Sequence, residues 1–283
     1  LTLKNDSRND PVTPFVILTF VCSWLVWELS TLAFAKETLY LRVFAFRAHT
    51  SILQILYWLG FLAPGIVALS LVFISKGVQG VGRFIRRGFQ WRVHVRVYLY
   101  AFFIPLLIGF AFTIESLLAR NIPIHVSHLS LALLDFAVNL LFGALFEEIG
   151  WRGYLLPRLQ SNSTGLRASL LLGIIWGMWH LPVRISFGSV TFAGFCLLTC
   201  GITVILTWLY NLSNGSLIPV ILFHSTVNSV ATFVVEPMAS AYGMRSIWAN
   251  VALVWAAALI VLFVAGPNLG KVAHPQLGDR GVR

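Results

Sequence analysis

The chain has 283 residues, 58% of them hydrophobic and 11% charged, against roughly 25% charged in an average soluble domain, which excludes a soluble globular protein. The formal charge of +10 does not indicate a nucleic-acid partner, because Lys and Arg lie scattered in short connectors between apolar runs and form no basic stripe. Cys22, Cys196 and Cys200 lie inside apolar segments without CxxC or framework spacing, so they read as small core residues.

A spanning helix needs about 20 mostly apolar residues, and irregular backbone cannot face lipid without stranding its polar groups. The long apolar runs are therefore predicted as helices over 14–35, 51–75, 97–118, 129–156, 168–187, 190–211, 215–235 and 247–265. The fold class is all-α, a polytopic transmembrane bundle of about eight spans. Pro64, Pro105, Pro182 and Pro219 are expected to kink these helices or mark their ends. Ala33-Phe34-Ala35 resembles a signal-peptide cleavage site, but Asp6 and Asp10 balance Lys4 and Arg8, and the run is longer than an ordinary signal core. It is read as a span. Leu1 in place of Met leads to the expectation that residues precede it.

The connector after the second helix carries Lys76, Arg83, Arg86, Arg87, Arg92 and Arg96, which assigns it to the cytoplasm. With eight spans both termini are then cytoplasmic, and fourteen of the twenty Lys and Arg residues fall inside against six outside. The expected organisation is a cytoplasmic segment 1–13, one membrane domain 14–265 with its motifs in 129–235, and a cytoplasmic tail 266–283. The lipid bilayer is one partner implied; nucleic acid is not.

Six of the ten acidic residues, Glu28, Glu115, Asp135, Glu147, Glu148 and Glu236, lie in or beside apolar stretches, where charge is costly and is kept for a reason. The fourth helix ends in Phe146-Glu147-Glu148-Ile149-Gly150-Trp151-Arg152. Glu148 and Arg152 are spaced i,i+4 and can pair on one face, while Glu147 points about 100° away. The two glutamates are therefore expected to do different work: a free carboxylate suits a general base, and one held by arginine positions its surroundings. The plainer reading is an interfacial ion pair at a helix end, with the arginine snorkelling to the headgroups.

The fifth helix carries His180 in Trp176-Gly177-Met178-Trp179-His180, and the seventh carries His224 and Asn228, four residues apart on one face. Taken alone, His180 suggests a ring bonded to a backbone carbonyl, and the His224–Asn228 pair suggests packing between helices. Depth ties the three helices together. At the helical rise Glu147 lies about 15 Å from Pro157, His180 about 18 Å from Ala168 and His224 about 14 Å from Gly215, so three helices place polar groups at one level.

Glu147-Glu148-Ile149-Gly150-Trp151-Arg152, Trp176 four residues before His180, and His224 four before Asn228, in that order, resemble the CAAX prenyl protease type II and bacteriocin-processing intramembrane peptidases, also called the CPBP or Abi family. The resemblance covers about residues 129–235; Trp176 stands where the family often has Phe. It implies an endopeptidase working inside the membrane, the plasma membrane of a prokaryote, on a membrane-associated protein or peptide, prenylated or bacteriocin-like. It also implies that Glu147 and His180 activate water, that His224 and Asn228 stabilise the oxyanion, and that Glu148, Arg152 and Trp176 support them. Glu147, His180 and His224 are candidate ligands of a catalytic zinc, so the resemblance leaves open both a metalloprotease and a glutamate-type protease. No HExxH is present, which favours water activation without metal. The rival readings of the same polar cluster are a proton-coupled transporter and a scaffold without activity; the absence of an inverted repeat weighs against the first, and the intact polar set against the second.

Overall fold

The computed structural model describes residues 12–34, 52–120, 129–235 and 244–271. The described residues form helices joined by turns, with no strand among them. In chain order the helices are α1 (Val12–Phe34), α2 (Ile52–Gly88), α3 (Val95–Arg120), α4 (129–161), α5 (Gly165–Trp179), α6 (Ser189–Leu212), α7 (218–235) and α8 (Met244–Ala265). Each falls on one of the predicted apolar runs. Six of them, all except α4 and α5, contain a stretch long and apolar enough to cross a membrane. α4 is broken into short helical pieces, and α5 has 15 residues. The outer surface is apolar, with Leu25, Leu29, Leu107, Phe110, Phe263 and Val264 all exposed. That inversion of the soluble pattern is what lipid as solvent demands. The chain is an integral multi-pass membrane protein.

The boundaries differ from expectation in three places. α2 continues past residue 75 to Gly88, but breaks at Gly77, whose φ of 63° and ψ of −170° leave helical geometry. Beyond that break the segment 78–88 carries Arg83, Arg86 and Arg87, charges that are costly in hydrocarbon, and the expected end of the apolar run falls close to the kink. α4 is not uniform: wide π turns at Asn139–Gly143 and Ile149–Leu155 flank the five-residue α segment Ala144–Glu148. α5 ends at Trp179, because Pro182 cannot continue the ladder and starts a separate turn, Leu181–Arg184. His180 is thus the capping residue between two helices and not an interior one.

Two close approaches of backbone set the depth of the centre. Where α2 crosses α4, a Cβ built on Gly65 would lie 2.7 Å from the Phe146 carbonyl, and one on Gly150 would lie 2.6 Å from Pro64 backbone atoms. α5 lies as close on α6, with Gly173 against the Cys200 backbone and Gly177 against Thr199. In lipid there is no hydrophobic force between helices, and small residues that let backbones touch supply the attraction instead. Buried Trp27, Trp151 and Trp179 fill the remaining volume, their rings 4.9 Å (Trp27–Trp179) and 5.5 Å (Trp151–Trp179) apart.

The connectors expected on one side do meet at one end of the bundle. Leu217 N–H donates to the Gly88 carbonyl (2.6 Å), Leu166 N–H to Pro267 (2.9 Å), and the Asn211 side chain to Leu269 (3.0 Å). Lys271 reaches the Gln160 carbonyl, and Phe15 near the start of α1 stacks on Tyr154. The expected segment 1–13 lies outside the described residues except for Val12 and Thr13, and the tail 266–283 is described only to Lys271.

The α2–α4 contact yields a prediction. Gly150→Ala should force the two helices apart and cost about 1–3 kcal/mol, the usual range for overpacking, read by thermal unfolding in detergent. Gly82→Ala, where a Cβ meets nothing within 4 Å, is the control and should leave the melting temperature unchanged. Equal melting temperatures for the two variants would contradict the close-contact account.

Candidate active site

The α segment between the two π turns of α4 presents Glu147 and Glu148, both buried, to different neighbours. Glu148 is the hub of an ionic cluster. Its Oε1 accepts from Arg152 Nη1 at 2.8 Å and lies 2.7 Å from His224 Nδ1 on α7. Arg152, with no exposed surface, donates through Nη2 to Thr203 Oγ1 on α6 at 3.0 Å and lies 4.6 Å over the Trp176 ring of α5. One guanidinium thereby ties α4 to α5 and α6, and one carboxylate ties α4 to α7. Burying such charges is tolerable only because each has an opposite partner at hydrogen-bond distance.

Glu147 stands apart from that pair. Its Oε2 accepts the indole N–H of Trp176 at 2.7 Å, and its electrostatic neighbours are His224, Glu148 and Arg152. The same Trp176 holds His180, whose Nδ1 lies 2.9 Å from the Trp176 carbonyl. A carbonyl only accepts, so Nδ1 carries the proton and Nε2 of the neutral ring is left with a lone pair. The plain expectation for a helical histidine, a bond to a neighbouring carbonyl, is thus what the geometry shows, and it leaves the second nitrogen open. His224 is fixed in the same manner by the Glu148 carboxylate. The Trp176 ring packs edge-on against both imidazoles, at 5.9 Å from His180 and 5.2 Å from His224.

Asn228 donates through Nδ2 to Asn139 Oδ1 at 3.0 Å. Asn139, on the first π turn, donates in turn to the Asp135 carbonyl at 2.9 Å, and Ser229 donates to Asp135 Oδ2 at 2.8 Å. These bonds lock the first half of α4 to α7 and set the direction of the Asn228 amide.

Of the predicted residues, Glu147, Arg152, His180 and His224 gather around Trp176, with Glu148 joined through Arg152, while Asn228 is bonded to Asn139 and not to this group. Glu147 and His180 share no direct hydrogen bond and are connected through the Trp176 indole and carbonyl. Glu147, His180 and His224 do not form a three-ligand group among the described residues, where no cluster of His, Cys, Asp or Glu is arranged to hold a metal ion. As placed, they do not fit a zinc site. Asn139 and Thr203 were missed in the sequence. Asn139 had a signal, an isolated amide in an apolar run eight residues before Glu147; Thr203 had none, since threonines are common in such helices.

A family model described as type II CAAX prenyl endopeptidase Rce1-like matches residues 129–230, the stretch that holds every residue named above. The chain is 26% identical over 233 residues to the CAAX prenyl protease 2 of Methanococcus maripaludis, covering 76% of this chain and 81% of that protein. It is 24% identical over 263 residues to the lysostaphin resistance protein A of Staphylococcus haemolyticus, covering 89% and 70% respectively. With the ordered motifs and the buried cluster they form, residues 129–230 are similar to the Rce1-like type II CAAX prenyl endopeptidases.

Proposed function

We propose that this protein is an intramembrane endopeptidase that hydrolyses a peptide bond of a membrane-associated substrate with a water activated by side chains, without metal. The observation that carries the reading is the separation of two adjacent carboxylates: Glu148 is spent on Arg152 and His224, while Glu147 is held by one neutral indole donor. A carboxylate placed so, in an apolar surrounding, has the character of a general base.

In the proposed reaction water attacks the scissile carbonyl carbon as Glu147 takes its proton. The His180 Nε2 lone pair orients that water by accepting its second hydrogen. Negative charge gathers on the carbonyl oxygen, and preorganised donors in a dry site stabilise it well. One donor is the amide of Asn228, which keeps one N–H after the other is given to Asn139. The second is Nε2–H of His224 in its protonated form, for which Glu148 supplies the counter-charge through Nδ1–H. Collapse of the tetrahedral intermediate breaks the C–N bond, and the proton on Glu147 passes to the leaving amine.

For the substrate, the family and the name of the archaeal relative direct the first assays to prenylated peptides ending in a CAAX box, where the lipid sits on the cysteine. The relative named for lysostaphin resistance makes other membrane-tethered peptides the next class. The exposed apolar faces and the basic connectors further support a chain set in a prokaryotic plasma membrane with the 76–96 connector and both termini cytoplasmic.

Two predictions follow from this reading. Glu147→Gln should lower turnover by about 10²-fold or more with an unchanged melting temperature, and Asn228→Ala by about 10²-fold with little change in KM. Asn139→Ala should share the kcat defect of Asn228→Ala in milder form, about tenfold, because it frees the amide without removing it. Cleavage of a farnesylated peptide by purified protein is the assay, and wild-type turnover in Glu147→Gln would overturn the assignment. For orientation, in a chain with its three cysteines replaced by serine, Arg86→Cys should react with a membrane-impermeant maleimide only after cells are permeabilised. Labelling of intact cells would reverse the topology.

A further inference from the structure

The stretch 78–96, from the Gly77 break of α2 to the first turn of α3, holds five arginines, Arg83, Arg86, Arg87, Arg92 and Arg96, and no Asp or Glu. All five are exposed, and none pairs with a carboxylate among the described residues. The faces of the segment 78–88 show what they meet. At about 100° per residue, Gly80, Val81, Phe84 and Gly88 fall on one side of it, and all four are buried or half-buried. Phe84 reaches Gly153 of α4, and Gly88 meets Leu217 at the head of α7, so this is the packed side. Val78 and Ile85, 75% and 42% exposed, fall together on the adjoining sector. Arg86, Arg83 and Arg87 occupy the sector beyond, in that order round the axis.

A helix packed on one side, with an apolar sector beside that and a cationic sector next, is suited to lie at a membrane surface, its apolar residues at the acyl boundary and its guanidiniums among the headgroups. Gly77, whose φ of 63° suits glycine, gives the chain its change of direction there. Trp91, 69% exposed, has the Arg92 guanidinium 5.3 Å from its ring centre, and tryptophan is a residue of the headgroup level. We propose that this arginine sector binds the headgroups of anionic phospholipid, and that the bound lipid braces the head of α7. Guanidinium forks match phosphate oxygens in charge and geometry. A soluble polyanion would satisfy the arginines but leave Val78, Ile85 and Trp91 in water, whereas a lipid covers both. The bracing follows from where the segment ends. The Gly88 carbonyl accepts from Leu217 N–H at 2.6 Å and the Gln90 carbonyl from Ser216 Oγ at 2.8 Å, while Gln90 Nε2 donates to the Asn214 carbonyl at 3.1 Å. Headgroups that hold the segment therefore hold residues 214–217, which start the helix of His224 and Asn228. The lipid surface does not depend on the peptidase reading.

The test uses the full-length protein in a neutral detergent with pyrene-labelled phosphatidylglycerol or phosphatidylcholine, binding being read by energy transfer from tryptophan to pyrene. Phosphatidylglycerol should bind more than tenfold more tightly, and Arg83→Gln and Arg86→Gln should each weaken it by about fivefold while leaving phosphatidylcholine unchanged. Arg83→Lys with Arg86→Lys, which keeps the charge, should retain most of the preference, and rising salt should reduce it. An unchanged melting temperature of the double Gln variant in neutral detergent checks that it is folded. Hydrogen exchange at Leu217 should slow on adding phosphatidylglycerol to the wild type and not to the double Gln variant. Equal affinities for the two lipids, or a preference untouched by the double Gln variant, would overturn the proposal. Displacement of the lipid by inorganic phosphate at constant ionic strength would also overturn it, and would reassign the arginines to a soluble anion. Selective binding that leaves the exchange of Leu217 unchanged would overturn the bracing of α7.

Discussion

A carboxylate, a guanidinium and an imidazole buried together in a helix bundle are tolerable only as a set, and the arrangement of this protein follows from keeping that set intact. Glu148 and Arg152 have no exposed surface, and leaving either without the other in such a place costs several kcal/mol. Thr203 and the Trp176 ring complete the environment of the guanidinium, and His224 completes that of the carboxylate. Four helices, α4 to α7, are thereby fixed in rotation about a single point. Glu147 gains its separate character from this arrangement, because its neighbour has already taken up the strong partners.

The helices reach that point through backbone contact and not through side-chain bulk. Gly65 and Gly150 let α2 and α4 touch, and Gly173 and Gly177 do the same for α5 and α6. The π turns on either side of Ala144–Glu148 belong to the same logic. Such turns are frequent at functional sites because they re-aim side chains at the cost of regular hydrogen bonding. Here one turn aims Asn139 at Asn228, and the other aims Arg152 back at Glu148.

Much of this was legible in the sequence. The apolar runs placed every described helix, since the bilayer sets both their length and their composition. The i,i+4 spacing of Glu148 and Arg152 foretold their bond, and counting residues brought Glu147, His180 and His224 to one depth. What stayed hidden depends on contacts between helices. Periodicity does not show that Gly77 breaks α2 with 11 helical residues still to come, or that α4 widens twice. Nor does it show that Trp176 stands between Glu147 and His180, since an indole N–H and a carbonyl of one residue reach different helices' side chains only after packing. His180 was expected inside a helix, and Pro182 makes it a cap.

The central claim is that Glu148 and Arg152 act as one buried unit, and a double-mutant cycle read by thermal unfolding in detergent tests it most directly. Glu148→Gln and Arg152→Met should each cost about 3–5 kcal/mol, because each leaves a buried charge without its partner. The double variant should cost no more than the worse of the two single variants, a coupling well above the few tenths expected of independent sites. Additive losses, or single variants as stable as the wild type, would contradict the claim.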